Sequence, residues 1–210
     1  MFIFRKLTVI AVMMKLPGAF YLSNDVCSVA RALLGKVLFT NLDGRITAGK
    51  IVETEAYSYK ERACHAYGGR RTKRTETLFL EGPVSYVYLC YGMYHLFNVV
   101  TNVKDIAEAV LIRALEPCKS IDIMSERRKT TGNHYSLTSG PGKLSIAMGI
   151  DSSFNRKPLT GELIWIEDRE IAVPFEEVVE TTRVGVDYAG TDAELPWRYY
   201  IRGNKWVSRQ

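Results

Sequence analysis

The sequence predicts an α+β fold: a single domain with a curved, mostly antiparallel β-sheet, flanking helices and a protruding β-hairpin. Three observations lead there. Apolar alternation marks more strands than helices. Turn signals at Asp43-Gly44 and around Gly92 join neighbouring strand candidates as hairpins. A hydrophobic fraction of 47% over 210 residues, with no internal repeat or low-complexity linker, suits one packed core.

The elements follow in chain order. Ser23-Asn24-Asp25 is a helix N-cap signal, Val26–Leu34 has helical apolar spacing, and Gly35 stops it. Lys36–Leu42 reads as a strand, Asp43-Gly44 as its turn, and Arg45–Tyr57 as a long partner strand. Arg62–Glu81 is a basic, glycine-containing loop. Val84–Tyr91 and His95–Val100 form a second hairpin, and Ala109–Leu115 an apolar strand. Ser120–Arg128 is helical. Ser139-Gly-Pro-Gly opens another helix that runs to about Met148 and ends at Gly149. Leu163–Glu167, Glu177–Val186 and Arg198–Arg202 are further strands. Residues 1–15 are expected to be a poorly ordered extension, with Met13 or Met14 as the initiator, and 16–210 the domain. Arg5-Lys6 followed by Leu7–Met14 looks like a short signal peptide, but Lys15 interrupts it and no cleavage site follows. That stretch is too short to span a bilayer, and no other segment could.

The formal net charge is +5, a mild pointer to a polyanionic partner. The basic residues are uneven: Lys60, Arg62, Arg70, Arg71, Lys73 and Arg74 are opposed only by Glu61. Arg198, Arg202, Lys205 and Arg209 have no acid among them. Glu162, Glu167, Asp168, Glu170, Glu176, Glu177 and Glu180 cluster elsewhere. A basic face with an acidic back and an ordinary solvated surface are both consistent with this distribution. Cys27, Cys64, Cys90 and Cys118 have no paired spacing, which suits a reducing compartment; the expected location is cytoplasmic, the bacterial cytoplasm or nucleoid.

Chemistry concentrates in Val52-Glu-Thr-Glu-Ala-Tyr57. On a strand, Glu53, Glu55 and Tyr57 share one face and Val52, Thr54 and Ala56 the other. The polar face is either a solvent-facing strand side or an active site. Tyr86 and Tyr88 alternate with Val87 and Leu89, a pattern usual for core or cross-strand pairs. Tyr91, just before Gly92, sits at a turn where it is either packing or a wedge between base pairs. Arg113, inside Val110–Leu115, needs a buried counter-charge, for which Glu55 is a natural partner. Asn98, between Phe97 and Val99, needs a hydrogen-bonding reason to be there.

Taken together, Ile51–Tyr57, His65, Gly68-Gly-Arg70, Tyr86-Val-Tyr88, Tyr91-Gly-Met-Tyr94, Asn98, Arg113–Pro117, Ser139–Leu144 and Pro196–Tyr200 resemble the alkyladenine (3-methyladenine) DNA glycosylase family, the type that is not helix-hairpin-helix. The likeness runs from about Gly18 to Ser208 and departs from the family pattern at Ser58–Glu61 and Glu81–Ser85. It implies a monomer that binds double-stranded DNA and excises alkylated or deaminated purines such as 3-methyladenine, hypoxanthine and ethenoadenine. It implies Glu55 as general base, with Arg113 helping to hold the water. Tyr57, His65, Tyr88 and Asn98 would form the base pocket, Asn98 excluding guanine, and Tyr91 would fill the gap in the duplex. Arg70, Arg71 and Lys143 are candidate phosphate contacts. No metal or cofactor is expected. Two rivals remain: a carbohydrate hydrolase using Glu53 and Glu55 as paired carboxylates, and a non-catalytic nucleic-acid-binding module on the same basic face.

Overall fold

A computed structural model of the chain describes residues 14–131 and 135–209. In chain order the elements are β1 (Met14–Lys15), α1 (Gly18–Tyr21), α2 (Val26–Ala32), β2 (Val37–Leu42), β3 (Arg45–Ser58), β4 (Val84–Cys90), β5 (Tyr94–Thr101), β6 (Glu108–Lys119), α3 (Ile121–Arg128), α4 (Pro141–Met148), β7 (Ile164–Asp168), β8 (Val178–Thr181) and β9 (Arg198–Ile201). The strands make one antiparallel sheet in the order β1-β7-β2-β3-β6-β5-β4, with β9 on β3 and β8 on β9. The α+β expectation therefore holds.

β3 organises the whole. One of its edges pairs along its length with β6. The other pairs first with β2, through Lys50, and then with β9, from Glu53 to Glu55. A strand that changes partner midway curls the sheet around the exchange point, and the second half of β3 becomes interior on both edges. Its apolar face packs under α2, where Val26, Val29, Ala30 and Leu33 meet Val52 and Ala56 in the main core. Thr54 belongs to that face and donates its hydroxyl to the Ala30 carbonyl at 2.9 Å. The predicted cap is present, since Asp25 accepts the Cys27 amide.

Several elements differ from the sequence reading; β6, expected over Ala109–Leu115, runs on to Lys119. Met14 and Lys15 pair with Asp168 and Glu167, so the sheet starts before residue 16; residues 1–13 of the expected extension lie outside the described residues. α1 has no counterpart among the expected elements. The strand expected over Glu177–Val186 ends at Thr181, because the chain leaves the sheet there to cross the open end of β3. Among the described residues no helix is long and apolar enough to cross a membrane. The acidic cluster is not a bare face: Glu167 is buried against Trp165 and Arg169, and Lys36 pairs with Asp168.

Candidate active site

Two one-residue irregularities in the β3–β6 ladder build the site. Ile51 pairs with Leu115 and Glu53 with Ala114, which leaves Val52 as an extra residue on β3; Thr54 then pairs with Ile112, which leaves Arg113 as an extra residue on β6. The two shifts cancel, so register is restored beyond them. A bulge re-aims the side chain it carries, and Arg113 is turned onto the polar face of β3. Its Nε donates to Glu53 Oε1 at 2.8 Å, and its Nη1 lies 3.2 Å from Glu55 Oε1.

Both carboxylates are buried, with no exposed side-chain surface, so Glu53-Thr-Glu55 is not a solvent-facing strand side. Their surroundings differ. Glu53 accepts from Arg113 and Arg198 Nε, both 2.8 Å, and from the Ser208 amide and hydroxyl at 2.7 and 2.9 Å. Burial by itself would raise the pKa of Glu53, but Arg113, the Ser208 amide and Arg198 outweigh it and hold the group below the usual carboxylate range. With its oxygens so occupied, Glu53 is a structural anion, and the second working carboxylate of a paired-carboxylate sugar hydrolase is missing. The expectation that Arg113 pairs with Glu55 captured half of a shared bridge.

Glu55 Oε1 accepts the Val184 amide at 2.7 Å as well as Arg113, and Oε2 accepts the Tyr57 hydroxyl at 2.7 Å. A carboxylate offers about four lone-pair directions. Two of them accept hydrogen bonds, from the Val184 amide and the Tyr57 hydroxyl, and the Arg113 guanidinium adds an ion pair. Burial, then the neighbouring Glu55, raises the Tyr57 pKa well above its ordinary value, so the phenol stays a donor.

Glu55 lies in the wall of a cavity of about 700 Å³ that Tyr57, His65, Tyr88, Asn98 and Arg113 also line, a size usual for small-ligand sites. His65 meets Tyr88 edge-on at 4.6 Å, and its Nδ1 is 2.9 Å from the Tyr86 hydroxyl. Burial, and then Arg74, push its pKa down to about 4, so the imidazole is neutral at physiological pH. Asn98 Nδ2 donates to the carbonyls of Tyr86 and Leu96. This fixes the amide and leaves its oxygen unused by the backbone. Tyr91 is 87% exposed at the β4–β5 tip, which removes the packing alternative. Tyr91 and Gly92 take φ of 50° and 69°, and the Met93 amide donates to the Cys90 carbonyl, so a left-handed turn forms within the three residues between the paired Cys90 and Tyr94. A non-glycine residue there costs roughly 1 kcal/mol.

The candidate phosphate contacts separate. Arg70 is exposed, and Lys143 lies at the cavity wall on the first turn of α4. Arg71 is held by Glu76 through two bonds, by Asp105 at 2.9 Å, and over the Phe79 ring. Its charge is already balanced by these two carboxylates.

Sequence reading missed several parts of this site. The Val184 donor is a backbone amide and has no side-chain signature. Arg198 and Ser208 anchor Glu53 from the far end of the chain. Arg74 lies over the Tyr88 ring, its guanidinium carbon 5.1 Å from the centroid. Arg183 and Glu61 form a buried ion pair at 2.9 Å behind Tyr57.

A family model described as methylpurine-DNA glycosylase (MPG) matches residues 19–205. The chain belongs to the methylpurine-DNA glycosylase family. Relatives agree over nearly their whole length, each carrying the name "Putative 3-methyladenine DNA glycosylase". One from Clostridium botulinum is 45% identical over 200 residues, covering 90% of this chain and 97% of its own. One from Clostridium acetobutylicum is 46% identical, covering 93% and 98%. One from Chlamydia felis is 41% identical, covering 90% and 97%. Membership in a family of DNA glycosylases makes the reaction class hydrolysis of a base–sugar bond in DNA. It also decides against the non-catalytic binding module.

Proposed function

We propose that this methylpurine-DNA glycosylase flips alkylated or deaminated purines, among them 3-methyladenine, hypoxanthine and ethenoadenine, out of double-stranded DNA. A water activated by Glu55 then hydrolyses the glycosidic bond and leaves an abasic site. The observation that carries this reading is a buried carboxylate, Glu55, held by the Tyr57 hydroxyl, the Val184 amide and the Arg113 guanidinium in the wall of an aromatic-lined cavity. Cleavage passes through an oxocarbenium-like state. A carboxylate beside the sugar takes the water's proton and faces the developing positive charge. Arg113, locked to Glu53, keeps Glu55 and its water in place.

DNA glycosylases as a class work by base flipping, which costs a few kcal/mol and least for damaged bases. Stacking on aromatic rings returns about 1–3 kcal/mol per base; Tyr57, Tyr88 and His65 offer those faces. The Asn98 amide oxygen suits a test of the purine 2-position, where guanine carries an amino group. The enzyme acts as a monomer on duplex DNA in the cytoplasm. A duplex with one hypoxanthine tests the reaction. Incubation should release the base and leave an intact strand that breaks only on alkaline treatment. Borohydride should trap no covalent adduct; a trapped adduct, for which Lys143 is the lysine at the cavity wall, would replace this mechanism with a Schiff-base one.

Tyr91 supplies a separate prediction. An exposed aromatic in a left-handed turn conformation is poorly explained by folding, and a strained, exposed residue points to function. Tyr91→Ala should move the melting temperature little, because surface changes stay within about 0.5 kcal/mol. It should weaken the preference for lesion-containing over normal duplex, most for a lesion in a well-formed pair and least for one already mispaired. Melting curves and base-flipping fluorescence on the same variant read both effects. A large fall in melting temperature with unaltered flipping would show that Tyr91 serves stability.

A further inference from the structure

The most completely buried ion pair near the cavity takes no part in the reaction proposed for Glu55. Arg183 has no exposed side-chain surface and Glu61 has 3%. Their contact is bidentate: Nη1 to Oε1 and Nη2 to Oε2, both 2.9 Å. The Arg183 fork also donates to the carbonyls of Ala56 and Asp192 at 3.0 Å. Glu61 Oε2 accepts the Ala63 amide at 2.7 Å. The guanidinium lies between two rings, 4.8 Å from the centroid of Tyr57 and 5.3 Å from that of Trp197. Tyr57 lines the cavity and Arg183 does not, so the guanidinium occupies the side of the ring turned away from the cavity.

A ring face attracts a cation through its quadrupole. A lone guanidinium behind Tyr57 would compete for that attraction and repel any positive charge stacked on the other side. 3-Methyladenine in DNA is such a cation, whereas hypoxanthine is neutral. A stacked base would stand about 8 Å from Arg183. At the effective dielectric of a protein site, one uncompensated charge at that range changes a cation's affinity on the order of tenfold. Glu61 cancels it. The arginine keeps its mechanical role, because Val184, the next residue, gives its amide to Glu55.

We propose that Glu61 and Arg183 are specificity-determining positioning residues: a charge-neutral backing for Tyr57 that lets one pocket accept both cationic alkylpurines and neutral deaminated ones. The inference rests on the reading of Tyr57 as a wall of the base pocket.

The test is the ratio of kcat/KM for 3-methyladenine release from dimethyl-sulfate-treated duplex to that for hypoxanthine release. Glu61→Gln keeps the shape and leaves the positive member; the ratio should fall about tenfold. Arg183→Gln leaves the negative member, still held by the Ala63 amide, and the ratio should rise. The double variant should return it to within about twofold of wild type. General damage to folding lowers both rates together and leaves the ratio alone, and active-site titration corrects for any misfolded fraction. If only one single variant folds, its direction decides. An unchanged ratio, or single variants that move it the same way, overturns the proposal while leaving the glycosylase reading intact. A wild-type enzyme that released neither base would overturn that reading instead.

Discussion

Glu55→Gln is expected to fold, bind lesion-containing duplex, and lose about 10²–10⁴-fold in hydrolysis, the usual contribution of a positioned general base. The amide fits the existing network. Its oxygen can keep the Val184 amide and Arg113, and its nitrogen can donate to Tyr57 once that hydroxyl turns to accept. What it lacks is the carboxylate charge that takes the water's proton. The check is single-turnover release from a hypoxanthine duplex with saturating enzyme, beside an affinity measurement on the same duplex. Near wild-type turnover would remove Glu55 from the role of base.

The second large effect falls on Glu53, and on stability rather than chemistry. In hydrolysis, Glu53→Gln should be much milder than Glu55→Gln, since the resemblance places the base at Glu55 only. The structure reverses that for the fold. Removing the charge leaves Arg198 without a counter-ion in the site and Arg113 with Glu55 alone; breaking a buried pair in this way costs about 3–5 kcal/mol. For a chain of this size that lowers the melting temperature by roughly 10 °C. The pH dependence has a definite sign. The folded-state pKa of Glu53 is depressed. Its stabilisation is therefore complete above the unfolded value, about 4.3 for a glutamate, and is lost as pH falls through the lower, folded one. The gap between wild type and variant should be full at pH 7 and shrink at acid pH below that value. Thermal melts across the range would show it, and a gap independent of pH would mean that the charge is not what Glu53 contributes.

Much of the fold was legible because local signals agreed with the global result. Alternation on β3 put Val52, Thr54 and Ala56 under α2 and Glu55 and Tyr57 in the cavity. The Asp43-Gly44 and Tyr91-Gly92 turns set both hairpins. The misses share a physical cause. The bulge at Arg113 depends on which residue of β6 meets which of β3, and no single strand encodes that register. Glu177–Val186 reads as one strand because Thr182, Arg183 and Val184 suit a sheet; only the pull of Glu61 on Arg183 and of Glu55 on the Val184 amide takes the chain out of it. Glu61 read as the one acid in a basic loop, and Arg71 as part of a basic face, because pairing across the fold is invisible in a list of charges.

The β4–β5 hairpin has one further consequence. Along its outer edge the segment 155–159 braces β4 as far as Val87, whose amide donates to Asn155 Oδ1 at 3.1 Å. On its face, Gly142 of α4 lies so close to Tyr94 that a Cβ there would stand 2.7 Å from the ring. Tyr94 stands opposite Cys90 in the ladder, so this second brace reaches the residue just before Tyr91. The two braces thus fix where the hairpin carries its tip, and a bulkier residue at Gly142 should displace Tyr94, and the turn with it, without touching Tyr91 itself.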